Sequence, residues 1–126
     1  MDSGPIYRFG EFVFDPRSGE LRIGARRVRL RPQPALVLEC LVQYAGELVS
    51  REELRRLLWP HGTFVQFDDG LNSCIKQVRA ALDDARVDPR YVETVPRRGY
   101  RFIGHATIGR VGDTHHNGVS DDRSGP

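Results

Sequence analysis

Along this chain the spacing of hydrophobic and polar residues changes near residue 30. Before that point the period is two: Leu21 and Ile23 alternate with Glu20 and Arg22, and Val28 and Leu30 with Arg27 and Arg29. Tyr7, Phe9, Phe12 and Phe14 add aromatic β-formers, Asp15-Pro16-Arg17-Ser18-Gly19 is a turn cluster, and Gly24-Ala25 breaks the run. The pattern predicts a small antiparallel sheet over residues 6–30 with one buried face. Past it, Ala35, Leu38, Leu41, Val42 and Ala45 follow helical spacing. Pro32 and Pro34 fall in the first turn of that helix, where a missing amide donor is tolerated, and Gly46 supplies a stop.

A second helix has a sharper start. Ser50 and Glu53 have capping-box spacing, with Val49 and Leu54 placed as a hydrophobic staple. Leu54, Leu57 and Leu58 are expected to face inward, and Trp59-Pro60 ends the element. In the loop HGTFVQFD, Phe64, Val65 and Phe67 either pin the loop to the core or present a partner surface. A third helix is predicted from Leu71, Ile75, Val78 and Leu82, one stripe of a 3.6-residue repeat, with Asp68 or Asp69 as its cap. Opposite the stripe lie Asp69, Ser73, Lys76, Gln77 and Ala80, flanked by Asn72 and Arg79. After Asp83-Asp84 and the turn at Asp88-Pro89, Tyr91 to Val95 and Tyr100 to Ile103 form the arms of a hairpin tipped by Pro96-Arg97-Arg98-Gly99. The stretch from residue 105 to 126 lacks apolar periodicity and is expected to be a disordered tail or linker, and residues 1–5 are expected to be an N-terminal tail.

Composition narrows the partner. The chain has 126 residues, enough for one core, and a formal net charge of +2, too small to demand a nucleic acid. Basic residues total 19, of which only Lys76 is lysine; arginine suits phosphate and guanine, but G+C-rich coding enriches it too. Their placement says more. Between residues 71 and 103, Lys76 and Arg79 sit on the helix and Arg97, Arg98 and Arg101 on the hairpin, while Asp83, Asp84, Asp88 and Glu93 fall mostly between. An amide-bearing and basic helix face beside a basic β-tip suits base edges and phosphates.

Sheet, three helices and basic hairpin, in that order, resemble the OmpR/PhoB-type winged-helix domain of bacterial transcription regulators. The resemblance rests on SREELRRLLWP, on TFVQFDDGLNSCIKQVRAAL and on the ending YVETVPRRGYRFIG, and it spans residues 6–104. Leu71-Asn72 with Ile75, Arg79 and Leu82, together with Asp88-Pro89-Arg90-Tyr91, is similar to the CadC-like branch. The implied fold is α+β: a winged helix-turn-helix with an N-terminal antiparallel sheet, a three-helix core and a C-terminal hairpin wing. The implied function is sequence-specific binding of double-stranded DNA, with the helix over about 69–83 in the major groove and the wing over about 91–103 at the minor groove or backbone. Asn72, Ser73, Lys76 and Gln77 would then face bases or their phosphates, and Arg79 and Thr94 the backbone. Arg97 and Arg98 would occupy the wing tip, with Arg101 close behind. The resemblance also implies that the loop 60–68 can touch RNA polymerase, and leaves dimerisation on DNA open. Two departures stand out: Ala80 and Ala81 occupy positions where the family often has a basic residue, and Pro34 stands where an acid is usual. No receiver-like stretch precedes residue 6, so phosphorylation by a partner kinase is not expected.

Other chemistry finds no support in the sequence. His61, His105, His115 and His116 have no zinc-ligand spacing, and neither a phosphate-binding glycine loop nor GxSxG is present, so no enzyme activity, metal or cofactor is expected. Cys40 and Cys74 are expected to be reduced thiols in a cytoplasmic protein. No signal peptide or apolar run of membrane-spanning length is seen, and membrane contact by this region is not expected. The alternative function is a winged-helix module that binds protein without specific DNA binding.

Overall fold

In a computed structural model of the chain, residues 4–61 and 67–110 are described. Four strands come first, β1 (Pro5–Phe9), β2 (Phe12–Asp15), β3 (Glu20–Ile23) and β4 (Arg26–Arg29), followed by helix α1 (Pro32–Gln43). A short strand β5 (Leu48–Ser50) leads into α2 (Arg51–Leu58) and then α3 (Phe67–Leu82). Strands β6 (Val92–Val95), β7 (Gly99–Phe102) and β8 (Ala106–Arg110) close the order.

The predicted N-terminal sheet is present, and its alternation explains its packing. Tyr7, Phe14 and Leu21 share one row and Phe9 and Phe12 the next, and all five side chains are buried. This sheet has five strands rather than four, in the order β4-β3-β2-β1-β8, because Ala106–Arg110 pairs antiparallel with β1 from Phe9 back to Pro5. The expected tail is thereby corrected for residues 106–110, and Pro5, expected in the N-terminal tail, belongs to β1; residues 111–126 lie outside the described residues. Ala106 packs against the core and the strand finds its hydrogen-bond partners on the open edge of β1, so pairing orders a segment whose own pattern is weak.

Both helix starts behave as their residues dictate. Pro32 opens α1 with no side-chain cap, and Pro34 is buried in the first turn. At α2 the capping box is complete: the Glu53 amide donates to Ser50 Oγ at 3.0 Å, and the Ser50 amide to Glu53 Oε1 at 2.8 Å. Val49, Leu54 and Leu58 are buried, and Leu57 is packed against the core from a half-buried position. β5 was not expected; it pairs with β7 to make a second sheet, β5-β7-β6, from the hairpin and the approach to α2.

Asp68 and Asp69 lie inside the first turn of α3 rather than at its cap, where their charges still favour the positive end of the helix dipole. Leu71, Cys74, Ile75, Val78, Ala81 and Leu82 form its buried face. An aromatic group joins the two sheets: the Phe9 ring lies 5.2 Å from Phe102 and 5.6 Å from Tyr91, both edge-on, and Phe12 meets Tyr91 at 5.8 Å. Each such pair contributes roughly 0.5–1.5 kcal/mol beyond the area it buries. The root of the hairpin is thus fixed to the N-terminal sheet, which holds β6 and β7 beside α3.

Candidate nucleic-acid interface

The outer face of α3 carries what its helical spacing predicts. Asn72, Ser73, Lys76 and Ala80 are exposed and Gln77 is half-buried. Gln77 Nε2 donates to Ser73 Oγ at 3.1 Å, one turn away, which orients both side chains before any ligand arrives. Lys76 makes no ion pair among the described residues. Of the two alanines that depart from the family pattern, only Ala80 faces solvent; Ala81 is part of the core.

The hairpin turns at Val95–Arg98, where the Arg98 amide donates to the Val95 carbonyl at 3.0 Å. Pro96 stands at the second turn position and Arg97, at the third, has φ +67°, features of a type II turn. Pro96, Arg97 and Arg98 are all exposed, and neither guanidinium has an acidic partner among the described residues. Arg101 differs. Its Nε and Nη2 lie 2.8 and 2.7 Å from Glu93 Oε1 directly across the sheet, so it is paired with an acid of the wing itself.

Arg79 and Thr94 touch each other. Arg79 Nη2 donates to Thr94 Oγ1 at 2.8 Å and to the Val92 carbonyl at 2.9 Å, while its Nε is buried with no hydrogen-bond partner among the described residues. Burial lowers the Arg79 guanidinium from its ordinary value, with Tyr100 and Asp84 acting the other way. Between α3 and the wing runs a groove of about 520 Å³, lined by Asn72, Lys76, Arg79, Arg86, Thr94 and Tyr100 among others.

Three contributors were not expected from the sequence. Arg51 Nη2 donates to Asp68 Oδ1 at 2.8 Å and its Nη1 to the Tyr100 hydroxyl at 3.2 Å; Tyr100 in turn donates to Asn72 Oδ1 at 3.5 Å. Burial opposes the Arg51 charge, but the bonds to Asp68 and Tyr100 outweigh it and hold the guanidinium above its ordinary value. These contacts join α2, α3 and β7. The third is Asp84, just past the end of α3. Its Oδ1 accepts the Arg90 amide at 2.7 Å, and its Oδ2 the amides of Tyr91 at 3.1 Å and Val92 at 2.9 Å. No local pattern marked these roles, because Arg51, Asp68, Asn72 and Tyr100 meet only through the fold, and the Asp84 carboxylate is used by backbone amides that carry no side-chain signal.

In the loop 60–68, Phe67 packs edge-on against Trp59 at 6.0 Å with the Arg55 guanidinium 5.2 Å from its ring; Phe64 and Val65 lie outside the described residues. Cys40 and Cys74 are free thiols, and burial raises both above the ordinary thiol value. Among the described residues no helix is long and apolar enough to cross a membrane.

Residues 25–102 match the family model described as "Transcriptional regulatory protein, C terminal". The chain belongs to this OmpR/PhoB-type family. Members of the family are transcription regulators rather than enzymes. The cholera toxin homolog transcriptional activator of Vibrio parahaemolyticus is 35% identical over 95 residues, covering 73% of this chain and 32% of that protein. The transcriptional activator CadC of Escherichia coli is 30% identical over 100 residues, 79% of this chain and 19% of that one. This OmpR/PhoB-type domain therefore spans about a third or less of the length of such relatives. Among solved structures, the DNA-binding domain of Escherichia coli CadC superposes with a TM-score of 0.69 at 28% identity, covering 84% of this chain and 98% of that one. The DNA-binding domain of Klebsiella pneumoniae RstA, in complex with the RstA box, gives 0.67 at 27% identity, covering 79% and 98%.

Proposed function

We propose that this domain regulates transcription by binding double-stranded DNA through the outer face of α3 in the major groove and the β6–β7 wing at the adjacent minor groove or backbone. The observation that carries this reading is the sorting of cations. Among the described residues Lys76, Arg97 and Arg98 have no acidic partner, whereas Arg51, Arg79 and Arg101 are tied to protein acceptors. Ser73 and Gln77, already bonded to each other, would read base edges together with Asn72; the exposed, hydrogen-bonding face of α3 supports this reading. Contact with RNA polymerase through the loop 60–68, pairing of two copies on DNA, a cytoplasmic location and the lack of any enzyme activity are proposals carried by the family resemblance.

The test is selection of preferred duplexes from a random pool, followed by salt titrations on the selected and a scrambled duplex. Gln77→Ala is expected to cost about 1–3 kcal/mol on the selected duplex and to relax preference at one or two base pairs. An Arg97→Ala, Arg98→Ala double change is expected to weaken both duplexes evenly and reduce the salt slope by about one to two units. Wild-type protein that selects no sequence, or binds with no salt dependence, would instead support a protein-binding module.

A further inference from the structure

β6 is the end strand of the wing sheet, so the outward N–H and C=O of Val92 have no strand to meet. Both are taken by side chains from α3 and the turn after it. Asp84 accepts the Val92 N–H at 2.9 Å, and Arg79 donates to the Val92 C=O at 2.9 Å and on to Thr94 Oγ1 at 2.8 Å. We propose that Arg79 is a positioning residue that locks the wing to the recognition helix through its Nη2. This rests on the DNA-binding reading above and assigns a role within it.

The geometry favours a lock over a ligand. Arg79 Nη2 already serves two acceptors and Nε is enclosed, so turning the guanidinium toward a phosphate would leave the Val92 carbonyl and the Thr94 hydroxyl short of a donor. The planar fork is what the site uses; a lysine ammonium at the end of a flexible stem does not reproduce it. A wing held at a fixed angle lets helix and hairpin meet one duplex together, without an ordering cost on binding.

The experiment measures binding of wild type, Arg79→Lys and Arg79→Gln to the selected duplex across several salt concentrations. Amide exchange of Val92–Val95 is followed in the free proteins, below their melting temperatures. Lys and Gln variants are both expected to lose roughly tenfold in affinity, with the wild-type salt slope retained and wing exchange accelerated. Thr94→Val, which removes an acceptor without touching Arg79, is expected to weaken binding less and to combine non-additively with Arg79→Lys; it also keeps the test available if the Arg79 variants fold poorly. Full affinity in the lysine variant, with the glutamine variant losing about one unit of slope, would make Arg79 a phosphate contact and overturn the proposal. Unchanged wing exchange in both variants would remove the lock itself. A wild type that selects no duplex defeats the functional reading instead, while the exchange data still report on the lock.

Discussion

The two sheets of this domain solve the same problem by different means. In the N-terminal sheet, the open edge of β1 is closed by backbone: β8 pairs along it from Pro5 to Phe9. In the wing sheet, the outer edge of β6 is closed by side chains, Asp84 on the amides of residues 90–92 and Arg79 on the Val92 carbonyl. A strand closes an edge uniformly and covers it. Two side chains satisfy only the root of the edge, leaving the hairpin beyond Thr94 free to project. The first closure builds a scaffold, the second a mounted probe.

Breaking each closure separately measures what it is worth. The largest effect is expected from Asp84→Ala, which strips the acceptor from three amides; denaturant unfolding should show a loss of about 2–4 kcal/mol. A chain ending at His105 removes β8, and the same measurement should give about 1–3 kcal/mol from the lost cross-strand pairs, whereas a chain ending at Arg110 should stay within ~0.5 kcal/mol of the whole. If both truncations unfold alike, β8 adds nothing and the contrast between the sheets collapses. The smallest effect sits at the unclosed tip. Arg97 holds a left-handed φ of +67°, where glycine has no steric penalty, so Arg97→Gly should stabilise the fold by about 0.5–1 kcal/mol. The same change should weaken DNA binding through loss of its charge. Higher stability with lower affinity would show that arginine is kept there for contact; a destabilised variant would mean that the turn depends on the side chain.

What the sequence made legible followed local rules. The capping box at Ser50 needs only residues three apart, and the buried stripe of α3 only a helical period, so both were readable. β8 was not, because Ala106 to Arg110 has no strong alternation and gains order only from β1, about a hundred residues earlier. Arg79 shows the limit of a helical wheel most clearly. The wheel gives the direction in which its Cβ leaves α3, but a long side chain ends where it finds acceptors, and these lie on a strand that the wheel does not contain. The same holds for Arg101 and its cross-strand Glu93. Of the arginines read as one basic surface, only those at the tip, among the described residues, have guanidinium groups not bonded to a protein acceptor.

Gly99 limits how such a domain can be redesigned. A β-carbon there would collide with the Val49 carbonyl and press on Ser50, at the place where β7 passes the start of α2. The wing is therefore welded to the capped end of the helix at its return strand, and adjustable only ahead of that weld. An engineer seeking a longer reach or a new charge pattern should insert or exchange residues at Pro96–Arg98, keeping Gly99 as a fixed joint. Swapped with that boundary, wings become interchangeable parts; swapped one residue later, they carry a side chain into the backbone of the neighbouring strand.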